Sequence, residues 1–136
     1  MPVIELDMLI AFVNPLDKHH AITSNLFMKI RDRQIKNVST TASAYLEYQL
    51  IHKARGYGES EIRRDLEMFR VFPNLGERNL SLNILIKASE LRDKYGLSFF
   101  DSLHAATAML TDQKVISSNQ TYDRIAGLVR LDPQRL

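Results

Sequence analysis

At 136 residues, with 45% hydrophobic and 25% charged positions, the chain has the composition of an ordinary globular protein with enough length for one cored domain. It contains no cysteine, which excludes disulfides, thiolate metal sites and thiol nucleophiles. The net charge of +2 permits a nucleic-acid partner without demanding one. No apolar run approaches the roughly 18 residues of a membrane span. The opening Met1-Pro2-Val3-Ile4-Glu5 lacks the basic region and apolar core of a secretory signal, so the expected location is cytoplasmic.

Residues 2–6 read as a short buried strand leading into Asp7, and Leu9 to Val13 as the first turns of a helix broken at Asn14-Pro15. Ile22, Leu26 and Ile30 recur every fourth residue and predict an amphipathic helix from Lys18 to about Asp32. Asn37 to Thr41 is β-branched and bounded by polar residues, a second strand. From Ala42 to Ala54 the pattern is helical again, with Ser43, Glu47, Leu50, Ile51 and Ala54 on one face. That places Glu47 on the apolar stripe, where a carboxylate is costly unless something pairs with it. Leu26, Phe27, Leu46 and Leu50 are expected in the core.

Gly56 and Gly58 separate this helix from the next, which starts at Glu59, and Val71-Phe72-Pro73 reads as a short strand or turn. The basic residues Lys53, Arg55, Arg63, Arg64 and Arg70 could contact nucleic-acid phosphates, but they alternate with acids, which for most of them is the pattern of a solvated helix with i,i+4 pairs. Leu82, Leu85, Ile86 and Ser89 mark a helix to about Tyr95, ended by Gly96. Ser98, with Asp101 three residues on, opens an alanine-rich helix suited to lying close against a sheet. Lys114 to Ser118 is a strand, Asn119 to Ile125 a loop with a short helix, and Leu128 to Leu131 the last strand.

Strands alternating with helices predict an α/β fold, three layers with a mainly parallel central sheet of about four to five strands. Ligands of such sheets bind beyond the carboxyl ends of the strands. Glu5 or Asp7 follows the first strand, Glu47 lies on the helix after the second, Asp101 opens the alanine-rich helix, and Asn119 and Asp123 follow the penultimate strand. Carboxylates gathered there repel one another unless a hard cation lies between them, and all-oxygen ligation suits Mg2+ or Mn2+. Each residue has a plainer role as well: Asp7 and Asp101 as helix caps, Glu47 as a buried paired carboxylate, Asn119 as a turn residue, Asp123 as a surface acid. His104, one turn after Asp101, reads as a packed or partly exposed side chain rather than a catalytic one.

Across essentially its whole length the chain resembles the PIN domain, and more closely the VapC-type toxins of that fold. The resemblance is carried by Ile4-Glu5-Leu6-Asp7-Met8-Leu9-Ile10-Ala11, by Ala44-Tyr45-Leu46-Glu47, by Leu97-Ser98-Phe99-Phe100-Asp101-Ser102-Leu103-His104-Ala105-Ala106, and by Val115-Ile116-Ser117-Ser118-Asn119 with Tyr122-Asp123. It implies a metal-dependent ribonuclease and toxin of a toxin–antitoxin module, dimeric and held inactive by a VapB-like antitoxin. It also implies Glu47 and Asp101 as metal ligands, with Asn119 and Asp123 completing the metal site. Anchoring on Leu9 and Ala11 makes Glu5 the first acid, while a looser anchoring makes it Asp7; Asp7, Glu47 and Asp101 are the expected catalytic set. Ser117 matches the small hydroxyl residue that opens the last motif, assigned here to substrate. Asn119 departs from the pattern, because an acid usually stands there.

Overall fold

The computed structural model describes residues 2–136. Its elements are strand β1 (Val3–Ile4), helices α1 (Leu6–Val13) and α2 (His20–Arg31), strand β2 (Val38–Thr41), helices α3 (Ala42–Ala54) and α4 (Glu59–Val71), and strand β3 (Leu75–Arg78). Helices α5 (Leu82–Tyr95) and α6 (Phe99–Met109) and strands β4 (Lys114–Ile116) and β5 (Val129–Leu131) complete it, with short 3-10 turns at Gln120–Arg124 and Pro133–Arg135. The strands form one five-stranded parallel sheet in the order β3-β2-β1-β4-β5, which is the expected α/β architecture. From β1 the chain steps outward to β2 and β3 on one side, then crosses back to β4 and β5 on the other. Such a reversal opens a crevice at the carboxyl ends of β1 and β4, where connections leave in opposite directions.

Strand alternation divides the core in two. Val3 and Val115 face Ala88, Leu91, Leu103 and Ala106 of α5 and α6. Their neighbours Ile4 and Ile116 face Leu9, Phe27, Ala44 and Tyr48 of α1, α2 and α3. On that second side Phe12 stacks on Phe27 at 4.2 Å, and Phe72 meets Phe27 edge-on at 5.2 Å. Phe27→Ala is expected to cost about 3–5 kcal/mol, a cavity in the middle of the aromatic cluster, measurable by urea denaturation.

Four local expectations are corrected. Strand β1 stops at Ile4, because Glu5 turns to cap α1 and accepts the Asp7 N–H at 3.4 Å. Glu5 and Asp7 therefore do not share a strand face; they occupy the cap and first turn of a helix. Helix α4 continues through Val71, Phe72 and Pro73 take the turn alternative, and the edge strand comes at Leu75–Arg78. That strand has no apolar alternation; what defines it is pairing with all of β2, and a Cβ on Gly76 would stand 3.3 Å from Ser39 Cβ.

Leu46 and Leu50 are 46% and 57% exposed, because α3 buries Ala44, Tyr48 and His52 instead. Leu82, Leu85 and Ile86 are likewise exposed, and α5 buries Ile84, Ala88 and Leu91. In both helices more than one apolar stripe is present, and the sheet position selects which is covered. Leu26 and Phe27 are core residues as expected. Gly96 ends α5 in the left-handed conformation (φ +66°), and Ser98 caps α6 by accepting the Asp101 N–H at 3.2 Å.

Candidate active site

The crevice between β1 and β4 collects acids from three separate segments. Glu5 is 4% exposed where β1 gives way to α1. Asp7, in the first turn of α1, reaches across to the end of β4. Its Oδ2 accepts from the Ser118 N–H at 2.9 Å, the Ser118 hydroxyl at 2.6 Å and the Ser117 hydroxyl at 3.1 Å. Ser117 Oγ also lies 3.2 Å from Glu5 Oε2 and accepts the Asn119 N–H at 2.9 Å. The Ser117 side chain is thus fully buried beneath the acids. Ser117→Ala is expected to weaken cation binding by on the order of tenfold by loosening both acids, read from Mn2+ titration.

Asp101 opens α6, and its Oδ1 faces the Tyr122 hydroxyl at 3.5 Å. Glu47 extends from α3 with its side chain 22% exposed, and its Oε1 lies 2.9 Å from His104 Nε2. Glu5, Asp101 and His104 each bring one potential ligand atom within 4.8 Å of the others. The electrostatics agree with this convergence. Burial first, and then the neighbouring carboxylates of Asp7 and Asp101, push the Glu5 carboxyl well above its ordinary range. The buried Tyr122 phenol is pushed up by desolvation first and then by the charges of Glu5, Asp101, Asp7 and Glu47.

The two remaining expected ligands are engaged elsewhere. Asn119 Oδ1 caps the following 3-10 turn by accepting the Thr121 N–H at 3.0 Å. Asp123 forms a two-pronged pair with Arg130 at 3.0 and 3.2 Å and is 51% exposed. The basic cluster on α3 and α4 behaves as a solvated face, with Lys53 paired to Glu59 and Arg70 to Glu67. What reasoning from the sequence missed is the link of His104 to Ser43 and Glu47. The available signal was spacing: Ser43 and Glu47 are four apart on α3, Asp101 and His104 three apart on α6, so each pair shares a helix face.

One observation tests whether these residues suit a divalent cation. Asp7 Oδ1 is buried with no hydrogen-bond partner, although Oδ2 of the same carboxylate has three. A buried, unpaired carboxylate oxygen is expensive unless a cation meets it, and its neighbours include the carboxylate of Glu5 and the hydroxyls of Ser117 and Ser118. The donor set fits a hard or borderline cation.

The family model of the PIN domain matches residues 8–128. The chain belongs to the PIN domain family. No curated protein sequence matches it significantly. Among solved structures, the chain is similar to VapBC2 from Rickettsia felis, bound to a promoter DNA fragment. The TM-score is 0.71 at 15% identity, covering 95% of this chain and 96% of that one. FitAcB from Neisseria gonorrhoeae gives a TM-score of 0.71 at 12% identity over 100% of both chains. VapC20 of Mycobacterium tuberculosis, described as a sarcin-ricin loop cleaving toxin, gives 0.67 at 16% identity over 85% and 87%. At these identities the likeness establishes the PIN fold.

Proposed function

We propose that this PIN-domain protein is a Mg2+- or Mn2+-dependent endoribonuclease, the toxin of a VapBC-type toxin–antitoxin module acting in the cytoplasm. The observation that carries the reading is the unpartnered Asp7 Oδ1 within a converging set of carboxylates at the sheet's switch point. Glu5, Asp7 and Asp101 would hold the ion, with Glu47 at the exposed side. When bound, the ion supplies an activated water and stabilises charge developing on a phosphodiester. The chain's own residues arrange this. Ser117 and Ser118 fix Asp7, Tyr122 faces Asp101, and the buried setting of Glu5 keeps competing water away from its carboxyl. Among the described residues no helix is long and apolar enough to cross a membrane.

A VapB-like antitoxin and a second copy of the chain are the partners this reading requires. The exposed apolar residues Leu46, Leu50, Leu82, Leu85 and Ile86 offer surface for them. Affinity capture that retains a small DNA-binding antitoxin would support the module; a nuclease that purifies without one would count against it.

A second reading is favoured by Asn119 and Asp123, which take the last expected acids out of the cluster. In it the domain binds RNA or protein and cuts weakly. The test is cleavage of a mixed single-stranded RNA panel with Mg2+ or Mn2+, comparing the native chain with Asn119→Asp. Asp caps a helical turn as well as Asn does, so this variant should melt within about 2 °C of the native protein. Cutting by the native chain establishes the nuclease. Cutting by Asn119→Asp alone establishes the binding module.

A further inference from the structure

His104 is fully buried, yet both its ring nitrogens have partners. Nδ1 lies 2.9 Å from Ser43 Oγ, and Nε2 lies 2.9 Å from Glu47 Oε1. Ser43 Oγ is in turn 2.9 Å from Thr41 Oγ1, which accepts the Ala44 N–H at 3.0 Å as the cap of α3. Phe100 lies against the imidazole, nearly parallel at 6.4 Å, and the ring sits on a helix whose residues from Ser102 to Ala108 are all buried.

We infer that His104 is a positioning residue that fixes Glu47 at the exposed side of the acid cluster through a directional relay. This rests on the reading of Glu47 as a cation-holding side chain. An ionised carboxylate can only accept, so the proton between His104 and Glu47 belongs to Nε2. Nδ1 then accepts from Ser43, Ser43 accepts from Thr41, and Thr41 accepts from the α3 backbone. Each group in the chain is satisfied, and its far end is anchored to the start of the helix that carries Glu47.

Glu47 needs such an anchor. It has three rotatable side-chain bonds and is the most exposed of the acids that bear on His104, so unrestrained it would spend little time aimed at the site. Glu5 Oε1 lies 3.7 Å from Nε2, outside hydrogen-bond distance, so Glu47 receives the proton. A nitrogen donating to Glu47 has no lone pair left for a metal, which separates this role from ligation.

Two measurements test it. Imidazole 15N shifts of the metal-free protein should show His104 protonated at Nε2; an unprotonated Nε2 overturns the relay. Mn2+ titration should then show His104→Ala weakened by roughly 10–100-fold, with Ser43→Ala in between and His104→Gln within a few-fold of native, because its amide can still donate to Glu47. His104→Met fills the space without a donor and replaces the alanine variant should that unfold. Native affinity in either the Ala or the Met variant overturns the proposal. If the native protein binds no Mn2+, the metal reading fails, and the 15N shifts alone decide the relay.

Discussion

Asp101→Asn is expected to abolish metal-dependent RNA cleavage, by on the order of 100- to 1000-fold, while leaving the protein folded. The two halves of that result have separate causes. The capping of α6 belongs to Ser98, whose hydroxyl accepts the Asp101 N–H, so the Asp101 carboxylate is released from that duty. An amide in the first turn forfeits only a modest interaction with the helix dipole. Its chemical loss is larger, because a neutral oxygen replaces a charged one within 4.8 Å of a Glu5 carboxylate oxygen. Cleavage assays alongside thermal melts separate the two. An Asp101→Asn protein that cuts RNA at the native rate would remove Asp101 from the site, and one that unfolds would return it to a structural role.

Glu5→Gln is expected to stabilise the metal-free protein and to flatten its stability against pH. Glu5 is buried beside Asp7 and Asp101, and its carboxyl is held well above the ordinary range by burial first and by those neighbours second. The sign follows from linkage. The folded protein holds a proton at Glu5 that the unfolded chain releases near pH 4.3. The stability this contributes is therefore complete below about pH 4.3 and is lost as pH rises through the raised folded value. Glutamine keeps the neutral form at every pH and can still accept the Asp7 N–H. Each kcal/mol recovered raises the melting temperature by about 4 °C in a chain of this size. Calorimetry in EDTA from pH 4 to 8 should show the native curve falling with pH and the variant's falling less. Parallel curves would mean that Glu5 does not carry the repulsion. The same substitution should weaken Mn2+ binding, the usual opposition of stability and function at a charged site.

The alternation of strands and helices, the caps at Ser98 and Gly96, the ends of α3 and the gathering of acids at the sheet's carboxyl edge are all readable in the chain. Each depends on local stereochemistry or on the periodicity of apolar residues. Leu26 and Phe27 were assigned to the core because their helix has one dominant apolar stripe. What residue order did not reveal depends on contacts between distant segments. Leu46, Leu50, Leu82 and Ile86 lie outside because α3 and α5 carry competing apolar faces, and only docking onto the sheet selects one. Leu75–Arg78 is a strand because β2 offers it a partner, not because its own side chains alternate.

The site divides along the same line. The position of acids at strand ends, together with the family resemblance, makes Glu5 or Asp7, Glu47, Asp101, Asn119 and Asp123 the candidates. Only the tertiary structure decides that Glu5 caps a helix, that Asp7 is held by Ser117 and Ser118, and that Asn119 and Asp123 are engaged elsewhere. Only it brings His104 between Ser43 and Glu47, 61 and 57 positions away in the chain. A hydrogen bond is read from distance and direction, and a one-dimensional sequence holds neither for residues that far apart.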